Sequence, residues 1–157
     1  AIGAAKERMW IASPYFVPDT DILSALKLAA LRGVDVRLLV PDRPDHLAVW
    51  LAAFAYFDEV RETGVKVFRF RDGFMHQKVI LIDDDIASVG SINLDNRSCR
   101  LNFEITLIGA GHGFAADVAA MLEADFAECT LMESGFAELP LRLRMGASFA
   151  RLLAPVL

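Results

Sequence analysis

The apolar pattern changes period several times along the chain. Met9 to Ala12 (MWIA) is a short apolar run ahead of Ser13-Pro14, which predicts a brief buried strand. Two prolines punctuate the next stretch, PYFVPD (Pro14 to Asp19), and mark it as a loop. Asp19 or Thr20 can cap a helix. Ile22, Leu23, Leu26, Ala29 and Ala30 then keep helical spacing to about Leu31, and Gly33 ends the segment. Val34 to Val40 (VDVRLLV) predicts a second strand, closed by Pro41. Residues 46–62 predict a second helix, with Leu47, Trp50, Leu51, Phe54 and Phe57 on its buried side. Gly64 stops it, and VKVFRF is a third strand.

This β-α-β-α-β order calls for a parallel sheet with helices packed on it. Afterwards the rhythm changes. KVILID, IASVGS and LNFEITLI follow with only short turns between them and read as adjacent strands. A helix is expected from about Phe114 to Cys129, and an amphipathic stretch from about Pro140 to Leu153. The expected fold class is α/β, a mixed, mostly parallel sheet flanked by helices. No repeat or low-complexity linker divides the 157 residues, so they are expected to form a single domain, 1–157.

Composition narrows this picture. At 55% hydrophobic residues, the chain can fill one core. Its net charge is −5, from 16 basic and 21 acidic side chains, which argues against a broad electrostatic footprint for duplex nucleic acid. Cys99 and Cys129 have neither a CxxC spacing nor the density of a disulfide framework, and a reducing compartment is the natural reading. No apolar run approaches the roughly 20 residues that span a bilayer, and there is no signal-peptide pattern. The chain opens on Ala1 rather than Met and is expected to be a segment of a longer protein.

The chemistry concentrates in HQKVILIDDDIASVGSINLDNRS, residues 76–98. Side chains alternate faces along a strand, so His76 and Lys78 point the same way. Asp83 falls on the opposite face or in the turn, so spacing argues against its being a direct partner of His76. Ser91 and Asn93 share a parity at the end of the next strand. Glu104 sits in an otherwise apolar strand, where a buried carboxylate needs a partner such as an imidazole. The set suits phosphodiester chemistry. An imidazole can attack phosphorus, a carboxylate can fix its tautomer, and lysine and asparagine can hold the phosphate oxygens. No metal or cofactor is called for, and Asp83-Asp84-Asp85 reads as a solvated hairpin turn.

His76-x-Lys78, four residues, Asp83, six residues, then Gly90-Ser91-x-Asn93 resembles the HKD motif of the phospholipase D superfamily in full. The flanks PYFVPD, LKLAALRGVDVRLLVP, PDH (Pro44 to His46) and LDNRSCRLNFE, with the closing RLLAPVL, are similar to the second HKD domain of bacterial cardiolipin synthases. One departure is Cys99, where a bulky aromatic is expected.

The resemblance implies that His76 is the active-site histidine of this half. It gives Lys78 and Asn93 the phosphate, with Ser91 assisting, and Glu104 the place behind His76. Asp83 is then mainly structural. It further implies two motifs meeting at a pseudo-two-fold interface. One histidine forms a phosphohistidine and the other moves protons, as a phosphatidyl group passes from one phosphatidylglycerol to another lipid and glycerol leaves. With one motif present, the chain is expected to be half of an active site. The other half is an upstream HKD domain or a second copy of this chain. Its substrate is expected to be an anionic phospholipid, and the longer protein to be associated with the cytoplasmic membrane while this segment is soluble.

Other residues keep two readings. Tyr15, Phe16 and Asp19 lie where a strand gives way to a helix, a usual ligand position in open α/β folds, or serve packing and capping. Arg97 holds phosphate or anchors its loop. Glu104 could instead bridge to Arg97 or Arg100. His46 is a first-turn residue or borders the lipid head group, and His112 lies in a solvated glycine-rich turn. In the tail, Arg142, Arg144 and Arg151 accompany Leu141, Leu143, Met145, Phe149 and Leu152. Such a helix either packs on the domain with its arginines in water or lies on an anionic membrane. The rival functions are a dimeric single-motif nuclease and a non-catalytic phospholipid-binding domain. The acidic balance counts against the first, and the intact His-Lys-Asn-Glu set against the second.

Overall fold

The computed structural model describes residues 2–43, 45–133 and 135–154. Ala1, Pro44 and residues 155–157, which carry part of the expected start, of the PDH flank and of the RLLAPVL close, lie outside the described residues. A 3-10 turn, Ile2–Ala4, leads into β1 (Arg8–Ala12). Then come β2 (Phe16–Val17), α1 (Thr20–Leu31), β3 (Asp35–Pro41), α2 (Leu47–Arg61) and β4 (Lys66–Phe70). The middle of the chain holds β5 (Val79–Ile82), β6 (Ile86–Gly90), β7 (Leu94–Asp95), α3 (Asn96–Arg100) and β8 (Thr106–Ala110). α4 (His112–Ala127), β9 (Cys129–Leu131), a 3-10 turn Phe136–Glu138 and α5 (Leu141–Leu152) complete it.

The main sheet is mixed, in the order β8-β6-β5-β1-β3-β4-β9. The β-α-β-α-β half supplies the parallel ladder β1-β3-β4, and β5, β6, β8 and β9 add antiparallel pairs around it. Strand alternation sorts the core into two layers. Met9 and Ile11 of β1 face the layer under α1, α2 and α5, whereas Trp10 and Ala12 face the layer under α4. β2 and β7 form a separate small parallel pair, Phe16 opposite Leu94.

Local signals explain the boundaries. Asp19 caps α1 by accepting from the Ile22 N–H at 2.9 Å, and Gly33 closes it with φ +91°. Three expectations need correction. The segment LNFEITLI is a strand only from Thr106 onward, and its first half is irregular. Between the second and third expected strands stand β7 and α3 instead of a short turn. Cys129 begins β9 rather than ending the last long helix. Asp95 caps α3 by accepting from the Ser98 N–H three residues on, at 2.6 Å.

Candidate functional site

The site is built from the lead-in to β5 and the segment after β6. Met75 and Val79 are buried while His76 is exposed and Lys78 half-buried, so the period-two alternation begins before the hydrogen-bonded strand does. The Lys78 ammonium lies 2.8 Å from His76 Nδ1 and 3.1 Å from Nε2, and also donates to the His76 carbonyl at 3.0 Å. An ammonium can only donate, so the nearer ring nitrogen accepts with its lone pair. Desolvation holds Lys78 below the ordinary lysine value, against the opposing pull of Glu104, Asp45 and Asp95.

Gly90 brings the second segment in. A Cβ there would lie 2.5 Å from the Ile105 carbonyl oxygen and 2.7 Å from Thr106 Cα, so only glycine lets β6 and β8 close at this point. Ser91 consequently meets the chain before β8. Its Oγ donates to Glu104 Oε2 at 2.5 Å and accepts from the Ile105 N–H at 3.0 Å. Asn102 Nδ2 donates to the other Glu104 oxygen at 3.1 Å. These donors, Ser91 first, hold the Glu104 carboxyl below the usual carboxylate range. Glu104 is therefore half-buried outside any strand, and among the described residues it makes no hydrogen bond or ion pair with His76, Arg97 or Arg100. Its strand starts two residues later, and its acceptor capacity goes to Ser91 and Asn102.

Asn93 Nδ2 donates to Ser98 Oγ at 3.2 Å, while its Oδ1 is buried with no partner among the described residues. Asn93 and Arg97 line a cavity of about 320 Å³, together with Tyr15, His46, Asp95 and Asn102. Arg97 is exposed, and its guanidinium has no partner among the described residues. Tyr15 donates to Asp45 Oδ2 at 2.6 Å and packs edge-on against His46. Burial first, then the Asp45 bond, pushes its phenol above the usual value. Asp45 and Asp95 were missed by sequence reasoning. Asp95 caps α3 through the Ser98 N–H, and Asp45 accepts from the adjacent His46 N–H just before α2.

Of the candidate residues, Tyr15, Asn93 and Arg97 line this cavity, whereas His76, Lys78, Ser91, Glu104, Phe16, Asp19 and Asp83 are not in its lining. Phe16 is only 1% exposed and stacks on Phe57, 5.8 Å between centroids, so it is core. Asp19 is occupied by the α1 cap and by Arg100 at 3.0 Å, and it lines a different depression of about 560 Å³. Neither hollow is lined by His76 or Lys78. Asp83 lies beyond the far end of β5. It has φ +52°, and its carboxylate accepts from the N–H groups of Lys6, Glu7 and Arg8 at 2.8–3.1 Å. Partial burial pushes its carboxyl upward, but the Glu7, Arg8 and Lys6 donors outweigh that and keep it below the ordinary range. His112 contacts the Asp84 carbonyl at that same end. Cys99 lines a small apolar cavity of about 170 Å³ with Ile11, Ile80 and Leu94, beside Lys78.

Residues 1–129 match the family described as cardiolipin synthase, PLD-like domain. The chain belongs to that family. It is 55% identical to cardiolipin synthase A of Pseudomonas aeruginosa over 157 residues, 99% of this chain and 32% of that protein. The chain thus spans about a third of the length of the curated relatives it matches. Among solved structures, the phospholipase D family member Nuc of Salmonella typhimurium superposes with a TM-score of 0.74 at 24% identity, covering 85% of this chain and 87% of that one. Phosphatidylserine synthase of Haemophilus influenzae also reaches 0.74, at 16% identity, covering 98% of this chain and 42% of that one. These two likenesses establish the phospholipase D-type fold. No helix among the described residues is long and apolar enough to cross a membrane.

Proposed function

We propose that this chain supplies one half of an active site for phosphatidyl transfer between phospholipids, forming cardiolipin and glycerol from two phosphatidylglycerols. The observation that supports it most is the full set of His76, Lys78, Ser91, Asn93 and Glu104 around one end of the sheet in a cardiolipin synthase-family domain. In the first step an imidazole nitrogen attacks phosphorus. A P–N bond forms, the P–O bond to glycerol breaks, and the paired histidine of a second motif protonates the leaving oxygen. In the second step that histidine takes the proton from the hydroxyl of the acceptor lipid. The new P–O bond forms, the P–N bond breaks, and the first imidazole is regenerated. Either histidine of the pair can take the nucleophilic role. Lys78, Asn93 and the exposed Arg97 hold the non-bridging oxygens as their charge grows.

The second half approaches the outer edge of the sheet. β8 is an edge strand whose Leu107 and Ile108 are exposed, as are Phe103 and Ile105 just before it, on either side of Glu104. A family domain covering about a third of its relatives' length is best completed by another part of a longer protein. Light scattering and phosphatidylglycerol turnover, measured on one sample with and without chelator, test this. The isolated chain should be a monomer with little turnover, and joining it to a second motif should give chelator-insensitive transfer. Robust turnover by a verified monomer would overturn the shared site, and an active dimer would make the second half another copy of this chain.

A further inference from the structure

We propose that the outward face of α5 seats the chain on an anionic bilayer. This goes beyond the proposed transfer reaction and does not require it. The helix LRLRMGASFARL is turned against the usual rule that a surface helix points its large apolar residues at the core. Its inward side is mostly small: Ala147 and Ala150 are buried, and Gly146 packs on α2. A Cβ on Gly146 would stand 3.3 Å from Leu51 Cδ1, so α5 is seated close enough to fix its rotation. Leu143 is half-buried on that side, and the other four large apolar side chains face out. Leu141 is 68% exposed, Met145 66%, Phe149 67% and Leu152 75%. Their spacing of four, four and three residues makes one stripe, about 17 Å long at 1.5 Å per residue.

Charge selects the occupant. Arg142, Arg144 and Arg151 stand on this helix with no acidic residue, in a chain whose net charge is −5. Arg142 is exposed and has no partner among the described residues. Arg144 lies over the Phe136 ring, and Arg151 lies over Tyr56 and 3.6 Å from Glu59. An apolar stripe flanked by arginines matches acyl boundary below and lipid phosphates beside it. The placement also suits delivery to the site. Just past α5, the Ala154 carbonyl accepts from Asn96 Nδ2 at 2.9 Å, and Asn96 opens the helix that carries Arg97.

Vesicle sedimentation of the chain tests the assignment, with fold checked by circular dichroism. The chain should partition onto vesicles of equal parts phosphatidylglycerol and phosphatidylcholine, and less onto pure phosphatidylcholine. Phe149→Ser and Met145→Ser should each lower the partition coefficient about tenfold, and Arg142→Gln about fivefold on anionic vesicles only. Leu107→Ser on β8 and His76→Ala should bind as the parent does, which separates this surface from the transfer site. No binding to either vesicle would overturn the proposal. So would equal loss with Leu107→Ser, or self-association that Phe149→Ser abolishes, which would make the stripe an interface between copies.

Discussion

The two ends of β5 carry residues of one sequence motif and treat them in opposite ways. Before the strand, His76 is exposed, Asn93 Oδ1 has no partner and Arg97 is unpaired among the described residues. After it, Asp83 receives three backbone N–H groups in a turn its own φ of +52° helps to shape. Hydrogen-bonding capacity left open in a folded protein is available to a ligand, and capacity that is filled belongs to the fold. Letters that travel together in a motif can thus serve two masters, and the hydrogen-bond ledger tells them apart.

The sharpest way to break this comparison is His76→Ala. In the chain joined to its second half, transfer should fall at least about 10⁴-fold, as when a nucleophile or its base is removed, with the circular dichroism spectrum unchanged. Near-parental rates would remove His76 from the chemistry. Lys78→Gln should cost about 10²-fold in kcat/KM. Because desolvation lowers the Lys78 value, its ammonium is fully charged at low pH and is lost below the range where a free lysine titrates. KM for phosphatidylglycerol should therefore rise on the alkaline side in the parent and stay flat in Lys78→Gln.

Asp83→Asn should have the smallest effect, and of another kind. Asparagine tolerates the positive φ, so the loss is that of the charge against three N–H donors, about 1–2 kcal/mol of stability after solvent screening. The folded carboxyl lies below its unfolded value, so this stability is present at neutral pH and disappears as pH falls through the folded value. Urea melts of parent and variant should converge in acid. Turnover per folded molecule should stay within a few fold, and a loss matching Lys78→Gln would erase the distinction between the two ends.

Much of this was legible in the sequence. The period-two parity that separated Asp83 from His76 needs nothing but a strand, and the caps and glycines placed α1 and α2. What failed did so for physical reasons. LNFEITLI is apolar, but its side chains face outward at the sheet edge, and apolarity alone does not say whether a residue is buried by its own chain or by another. Glu104 was given a buried strand on that ground. Phe16 sits beside Tyr15, yet β2 turns the phenylalanine into the core and leaves the tyrosine on the cavity. Asp19 carries a helix cap and an arginine pair, and a local sequence cannot show the second of these.

The place of β1 has a consequence for synthesis. This early strand lies in the middle of the sheet, with β3 on one side and β5 on the other. A ribosome delivers β3 soon afterwards, but the other edge of β1 stays open until the segment ending at Asp83, 75 residues beyond Arg8, has emerged. During that interval a hydrophobic strand offers unpaired backbone to any neighbour. The Asp83 latch onto Lys6, Glu7 and Arg8 closes that edge, so the nascent chain passes from vulnerable to protected as the latch engages.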